Sequence, residues 1–589
     1  MGHQRIPQPP RGWRFFLVAT CAIGFVASTA IMSIGTGNSS LPASDSKAGQ
    51  MWLEHYNLLS HGLVLVAVAL TLLWLWAWAL REPPAATSPG VDDLWGSRIL
   101  RWCRQHPLLL ILYLAYGLSM VHSTTGFYPE LQGWLRDVHA DQLLNPFVLR
   151  DGLISETMRA NSFRFFPLAH QDLHLLSWLT PYVKVWVLVS ALELFAIVLL
   201  VNRAVTVLAQ GKERPGQLWL ISLVLLFHPA TGWAFFQLIY SERLLTLLFA
   251  LFINATLSYQ SSHSRRAFAL CFGCALVGIF VKDIAVILFV IPAGLSFLLA
   301  VFGLGVKPSR SYALEWWLCG LSIVAVVAYL VLSLLPSLYV GSNGFDHSDR
   351  FTVEADWRLI ALGLFTLIRW LLIARRRCQA NLLDGLNLAA LAYATALFLS
   401  VGYPYESFWT LPVQLVAVMD FAFVWSLWVA PALSGRAGPA TIRAIGMGVG
   451  LGVLALENNQ PHTFAKRVSK IQMTQKKWQS SFEQLEALLK ARRRTGEARN
   501  LIYMQTWFGR PEYARLPYER LIELNPDNGS YIVVDGIGSG EPYAPKSGDL
   551  LANIDKRKLS VLGQDSANYK EIYRFREGMN YGAIYERRP

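Results

Sequence analysis

Long apolar runs separated by short polar segments occupy most of this chain. A helix needs about 20 predominantly apolar residues to cross the hydrocarbon core of a bilayer. The runs lie near residues 15–34, 58–80, 107–123, 183–201, 218–235, 244–260, 267–301, 314–336, 357–374, 384–401, 410–432 and 444–456. The run at 267–301 is too long for one helix and carries Lys282 and Asp283 at its middle, so it predicts two. The pattern therefore predicts a mainly α, polytopic membrane domain of about thirteen transmembrane helices.

The final segment, residues 457–589, is polar and large enough for a small folded domain. It opens with a basic, amphipathic stretch over residues 463–495, which predicts a helix lying on the lipid headgroups. Turn-rich and alternating stretches follow, at Asn525–Gly529 and Ser530–Asp535, and indicate an α/β or α+β module. We therefore divide the chain into a transmembrane domain, 1–456, and a C-terminal domain, 457–589.

The distribution of basic residues predicts the orientation in the membrane. Lys and Arg are about threefold denser in the connecting segments on one side than on the other, which places the denser side in the cytoplasm. The N-terminus is then cytoplasmic and the C-terminal domain lies on the opposite side. With 53% apolar and only 15% charged residues, the composition excludes a disordered chain or an ordinary soluble domain. The net charge of +13 fits anionic headgroups, so membrane lipid is an expected partner and nucleic acid is not.

The segment 124–182 carries the densest group of polar side chains outside the membrane. It also contains aromatic residues such as Phe165, Phe166 and Trp178, which indicate a loop packed at the membrane surface. A carboxylate there can deprotonate a hydroxyl group, and arginines can hold a phosphate leaving group. A solvated loop without a site is the alternative. The acids are Glu130, Asp137, Asp141, Asp151, Glu156 and Asp172, the arginines are Arg136, Arg150, Arg159 and Arg164, and the histidines are His139, His170 and His174.

Two short turns on the same side also carry charge. They are Tyr240-Ser-Glu-Arg243 and Lys282-Asp283. Lys282 and Arg243 are candidate phosphate ligands, and anchoring at the lipid boundary is the alternative explanation. Glu193 and Asp420 lie within apolar runs. A carboxylate is costly in lipid, so both are expected to face the interior of the helix bundle, either paired or lining a cavity.

These features together resemble the GT-C glycosyltransferases, which are polytopic enzymes that take sugars from polyprenyl-phosphate donors. The stretch Arg159-Ala-Asn-Ser-Phe-Arg-Phe-Phe-Pro-Leu-Ala-His-Gln-Asp172 is similar to an Arg…Phe-Phe-Pro-Leu-Gly-His-Gln-Glu stretch in the main outside loop of a bacterial GT-C-like group. That group also has a Tyr-x-Glu-Arg turn and a Lys-Glu turn, and type IV pilin arabinosyltransferases are members to consider. The resemblance covers roughly residues 107–300. It implies a bacterial inner-membrane enzyme whose C-terminal domain is periplasmic.

The resemblance also implies an inverting transfer to a protein acceptor, such as pilin, or to a glycan acceptor. Glu130 is the first choice for the general base, with Asp151 and Glu156 next. The implied donor phosphate ligands are Arg159, Arg164, Arg243 and Lys282, with His170 orienting the donor; Asp172, Tyr240, Glu242 and Asp283 complete the candidate site. No cofactor and no metal are expected, although the loop acids leave Mg²⁺ or Mn²⁺ open.

This chain departs from the group at several places. Its candidate loop follows the third apolar run rather than the first. Either two N-terminal spans are an addition, or the 35–57 loop with Asp45 and Glu54 is the counterpart; the later loop is preferred because it is longer and carries the matching stretch. Ala169 replaces a glycine, and Asp172 and Asp283 replace glutamates. The C-terminal domain is expected to bind the acceptor or cover the site, and the candidate aromatic residues are Tyr503, Trp507, Phe508, Tyr513 and Tyr518. Three other functions remain open: a lipid-linked sugar polymerase or ligase, a lipid-linked sugar transporter or flippase, and a non-catalytic scaffold.

Overall fold

The computed structural model describes residues 9–10, 12–82, 102–128, 131, 157–209, 211, 213–302, 312–342, 351–354, 356–504, 513, 515–525, 529–554, 566–577 and 580–589. The chain forms two compact units. Unit 1 comprises Met1–Leu118, Ile154–Asp172 and Val189–Phe464. Unit 2 comprises Ser119–Leu153, Leu173–Leu188 and Ala465–Pro589. The second unit is therefore larger than the expected C-terminal domain, because it includes parts of the 124–182 segment.

Every predicted apolar run is helical. The helices are α1 (Trp13–Gly35), α2 (Lys47–Leu80), α3 (Pro107–Ser123), α4 (Gln171–Leu179), α5 (Val183–Leu208), α6 (Gln217–Leu226), α7 (Pro229–Phe236), α8 (Glu242–Ser262), α9 (Arg265–Gly278), α10 (Val286–Val301), α11 (Ala313–Val340), α12 (Trp357–Ala374), α13 (Leu382–Ser400), α14 (Phe408–Ser434), α15 (Pro439–Glu457) and α16 (Phe464–Thr495). Within the described ranges, nine of these are long and apolar enough to cross a membrane, or up to ten if α6 and α7 form one span. They indicate a multi-pass membrane protein, while the count of about thirteen stays a prediction.

Local sequence explains where these helices break or change pitch. Helices α6 and α7 meet at 68°, where Pro229 begins the second helix and His228 Nδ1 accepts a hydrogen bond from the Ala230 amide. Within α11, a π-helical turn at Leu330–Leu334 precedes Pro336. Proline has no amide hydrogen and its ring crowds the preceding turn, so a wider turn relieves the clash.

Small residues allow the last helix of unit 1 to pack closely. A Cβ atom on Gly446 of α15 would lie 2.8 Å from the Gly216 Cα, and one on Gly450 would lie 2.9 Å from the Leu223 side chain. Neither position has space for a larger residue. Helix packing therefore explains Gly446 and Gly450, as it explains small residues in other membrane proteins.

Unit 2 contains a mixed six-stranded sheet, ordered β3-β2-β1-β4-β6-β5. The strands are β1 (Asn500–Met504), β2 (Arg520–Leu524), β3 (Tyr531–Gly536), β4 (Leu550–Asn553), β5 (Tyr569–Glu577) and β6 (Asn580–Arg587). Strand β1 is parallel to both β2 and β4, and the remaining pairs are antiparallel. Apolar side chains alternate between the two faces, as a sheet buried on both sides requires.

Helix α16 covers one face of this sheet. Trp478, Phe482 and Leu485 share a buried core with sheet residues. The interpretation of this stretch as a helix on lipid headgroups is therefore wrong, because its apolar face packs on protein. Tyr503 and Tyr513 belong to the same core, and Tyr518 packs against it. Trp507 and Phe508 lie outside the described residues.

Candidate functional site

The segment 157–172 is held by side chains and backbone groups from other parts of unit 1. The Phe163 amide donates to Ser337 Oγ at 3.0 Å, and Ser333 Oγ donates to the Arg164 carbonyl at 2.8 Å. Further along, the Leu168 amide donates to the Phe280 carbonyl at 2.9 Å. These bonds satisfy backbone groups that have no partner in a helix or sheet, so the segment has one defined path.

The Lys282–Asp283 turn contacts this segment directly. The Asp283 carboxylate accepts hydrogen bonds from the Phe165 amide and from Arg164 Nε, the latter at 3.2 Å. Lys282 Nζ lies 2.7 Å from a carboxylate oxygen of Glu242, the first residue of α8. The three motif segments that were noted separately along the sequence therefore meet in one place.

The aromatic ring of Phe166 lies near both of the cations that this arrangement leaves partly exposed. The Arg164 guanidinium is 4.5 Å and the Lys282 ammonium 5.8 Å from the centre of the Phe166 ring. Their side chains are 27% and 15% exposed, respectively. A cation over a ring face gains electrostatic attraction and is restricted in position. Both cations are thus restricted in position and still have exposed surface that a ligand can contact.

Arg243 joins two carboxylates that are far apart in the sequence. Its guanidinium forms charged hydrogen bonds with Asp172 at the start of α4 and Glu193 in α5. The Arg243 side chain is only 1% exposed, and each carboxylate 13%. The prediction that Glu193 faces the bundle interior is confirmed, and Asp420 is likewise buried. Because Arg243 has no exposed surface, its geometry suits holding α4, α5 and α8 together rather than meeting a ligand.

His170 is buried immediately beside this ion-pair cluster. Burial lowers the pKa of its imidazole to about 4; the Asp172 carboxylate opposes this, while the Lys282 and Arg243 cations add to it. The ring is therefore neutral near pH 7, with one nitrogen able to donate a hydrogen bond and the other to accept one. His170 also has a positive φ of 61°, a backbone conformation that non-glycine residues adopt rarely.

The chain matches no protein-family model, no curated protein and no solved structure.

The structure brings together most of the predicted site. Within the described part of unit 1, the cluster combines the cations Arg164, Arg243 and Lys282, the carboxylates Asp172, Glu193, Glu242 and Asp283, and the neutral His170. Tyr240 makes separate aromatic contacts: its ring stacks on Phe408 at 3.6 Å, and its hydroxyl accepts a hydrogen bond from Trp233 Nε1. Arg159 lies in a short 3-10 turn, Met158–Ala160. Glu130, Asp151 and Glu156 lie outside the described residues.

Several residues that support this cluster were not identified from the sequence. Ser333 and Ser337 lie one helical turn apart in an apolar run, and this spacing was a usable signal. His61 of α2 is buried with Nε2 3.1 Å from the Pro167 carbonyl oxygen. Tyr393 of α13 is fully buried and interacts electrostatically with Glu242 and Asp283. Each is a polar residue in an apolar run, which is costly in lipid unless the side chain has a role.

Proposed function

We propose that the chain is a membrane glycosyltransferase of the GT-C type. It transfers a sugar from a polyprenyl-phosphate donor to a protein, such as pilin, or to a glycan acceptor on the periplasmic side of a bacterial inner membrane. The observation that supports this most strongly is the meeting of the 164–172 segment, the Glu242–Arg243 turn and the Lys282–Asp283 turn. Within this cluster, Arg164 and Lys282 are cations with exposed surface, and such groups can hydrogen-bond a lipid-borne phosphate.

The geometry divides the roles among the cations. Lys282 and Arg164 keep exposed surface and would stabilise the charge that develops on the leaving phosphate. Arg243 would act indirectly, by fixing the helices that carry its partners. A neutral His170, buried beside this ion-pair cluster, would orient the donor indirectly through the neighbouring side chains. The base that deprotonates the acceptor hydroxyl would come from Glu130, Asp151 or Glu156.

Unit 2 supports a role for the C-terminal residues in positioning the candidate loop. Gln475 of α16 is fully buried, and its Oε1 accepts hydrogen bonds from the amides of Thr125 and Gly126 at 2.6 and 3.1 Å. Phe127 packs against Phe482 of the same helix. Residues of α16 thereby hold the backbone at Thr125, Gly126 and Phe127, a few residues before Glu130, the first candidate for the base.

The test is transfer of a radiolabelled sugar by the purified full-length chain. Polyprenyl-phosphate donors with several sugars, arabinose included, would be offered with pilin and glycan acceptors. We expect Lys282→Met to lower kcat by about 100-fold or more, as removal of one group that stabilises a developing charge does elsewhere. Lys490→Met is the matched control, because Lys490 is exposed and pairs only locally with Glu486 in the described structure.

Amide replacements then identify the base. Glu130→Gln, Asp151→Asn and Glu156→Gln would be compared one at a time, and we expect one of them to abolish transfer. No transfer by the wild type with any donor would overturn the proposal. Movement of lipid-linked sugar across proteoliposome membranes without transfer would instead establish a transporter.

A further inference from the structure

Three connecting segments of unit 1 meet at a second polar place, distinct from the ion-pair cluster. Residues 351–354 precede α12, residues 401–407 join α13 to α14, and residues 458–463 follow α15. The Glu354 amide donates to the Tyr403 carbonyl at 3.0 Å, and the Tyr405 hydroxyl donates to the His462 carbonyl at 3.0 Å. These two hydrogen bonds link all three segments to one another.

Three potential metal ligands converge on this frame, one from each segment. They are Glu354, Glu406 and His462, and one ligand atom of each lies within 4.8 Å of those of the other two. The distance from His462 Nε2 to Glu406 Oε2 is 3.5 Å. Ligands bound at about 2.0–2.2 Å to one ion lie about 3–4 Å from each other, so only small side-chain movements would bring all three onto one ion. Glu406 is buried, whereas Glu354 and His462 are exposed, which leaves space for water on the ion.

The surroundings carry an excess of negative charge. Asp356 accepts hydrogen bonds from Tyr403 and Gln414, and Glu457 Oε1 accepts one from Arg358. Together with Glu354 and Glu406, these make four carboxyl groups. Among the described residues, the ion pairs of these carboxyl groups are Arg358 with Glu457 and His462 with Glu406. A divalent cation would balance this excess.

Glu457, which lies just before the third of these segments, carries a buried carboxylate oxygen. Glu457 is 8% exposed, and its Oε2 has no hydrogen-bond partner among the described residues. This side chain lines the same small cavity as Tyr405 and His462. A buried carboxylate oxygen normally has a partner. A cation or its bound water would supply one.

We propose that Glu354, Glu406 and His462 bind one divalent transition-metal ion, which ties the segments before α12, before α14 and after α15 together. Two carboxylates and one imidazole suit Zn²⁺ or Mn²⁺, whereas Ca²⁺ and Mg²⁺ favour sites made of oxygen alone. The ion is structural: it closes a link among three loops and takes no part in the sugar transfer proposed above.

The experiment uses the purified full-length chain in detergent. Protein stripped with EDTA is dialysed against Zn²⁺, Mn²⁺ or Ca²⁺, and the bound metal is measured by mass spectrometry together with the thermal unfolding midpoint. We expect about one Zn²⁺ or Mn²⁺ ion per chain and a higher midpoint, because an ion bound only by the folded state stabilises it. Calcium should give neither effect.

Variants locate the ion. His462→Ala and Glu354→Gln should each lose the bound metal and the metal-dependent rise in midpoint, while the matched control His55→Ala, at an exposed histidine elsewhere in unit 1, should keep both. Both test side chains are exposed, so their variants are expected to fold. An unchanged metal content in His462→Ala, or a wild type that binds no more Zn²⁺ or Mn²⁺ than Ca²⁺, would overturn the proposal. Because no transfer is measured, the result does not depend on the proposed activity.

Discussion

The sharpest prediction concerns the arginine that joins two buried carboxylates. Replacing Arg243 with methionine removes the guanidinium from between Asp172 and Glu193 but keeps an apolar chain of similar reach. The side chain of Arg243 is 1% exposed and those of its two partners 13% each, so water cannot easily replace the lost cation. Two like charges would then remain close together in a poorly solvated place, which is strongly unfavourable.

The expected loss of folding stability is set by the lowest-energy way to remove the unpaired negative charge. One carboxyl can bind a proton, and protonating a glutamate of ordinary pKa, about 4.3, costs about 4 kcal/mol at pH 7, since each pKa unit is about 1.4 kcal/mol. Breaking a buried ion pair typically costs about 3–5 kcal/mol, which agrees. At pH 5 the protonation costs only about 1 kcal/mol. A carboxyl whose pKa is raised in the folded state contributes stability at low pH and loses it as the pH rises, so Arg243→Met should be least stable, relative to wild type, at pH 7.

Thermal unfolding in detergent, at pH 7 and pH 5, measures this. Wild type is compared at each pH with Arg243→Met and with a triple variant that adds Asp172→Asn and Glu193→Gln, so that other titrating groups cancel. We expect the single variant to have the lowest midpoint at pH 7, a smaller deficit at pH 5, and partial recovery in the triple variant, where no carboxylate is left unpaired. Equal deficits at the two pH values, or a triple variant no more stable than the single one, would refute the reasoning.

Two further substitutions test neighbouring features. The pKa of His170 is lower in the folded than in the unfolded state, so its contribution to folding stability is complete above about pH 6.5 and is lost as the pH falls toward 4, by about 3 kcal/mol in all. In melting curves over this pH range, His170→Gln should therefore lose less stability in acid than wild type does. An unchanged pH profile would contradict the lowered pKa of His170. Gln475→Ala leaves the Thr125 and Gly126 amides without their acceptor and should destabilise unit 2 by about 1–3 kcal/mol. Limited proteolysis should then cut Gln475→Ala near residue 125 faster than it cuts the control Gln479→Ala. Equal cleavage rates in the two variants would count against this role of Gln475.

The helices were predictable because lipid imposes a single requirement, a long apolar run, that any chain shows directly. The split of the 267–301 run at Lys282 and Asp283 is an example, since charged residues cannot stay at the centre of a span without partners. The bend between α6 and α7 was missed although Pro229 marks it. Helix α16 was misassigned because an amphipathic face looks the same whether lipid or a sheet covers it.

The sequence predicted which segments form the candidate site, but it did not predict the role of each residue there. Residues Arg164, Asp172 and Lys282 were recognised by resemblance, and the structure places them together. Arg243 can be buried because it pairs with Glu193, which lies in a different helix. No sequence pattern connects these two residues. The same holds for Glu354 and His462, which are separated by several spans and meet only when those helices pack.

The bond between Gln475 and the Thr125 amide also sets an order of events during biosynthesis. Its two partners are 350 residues apart, so at about 5–20 residues per second the glutamine is made roughly 20 to 70 seconds after the threonine. Until then the Thr125 and Gly126 amides lack their final acceptor. The backbone at Thr125 and Gly126 therefore reaches its final hydrogen bonding only after all the apolar helices of unit 1 have been synthesised.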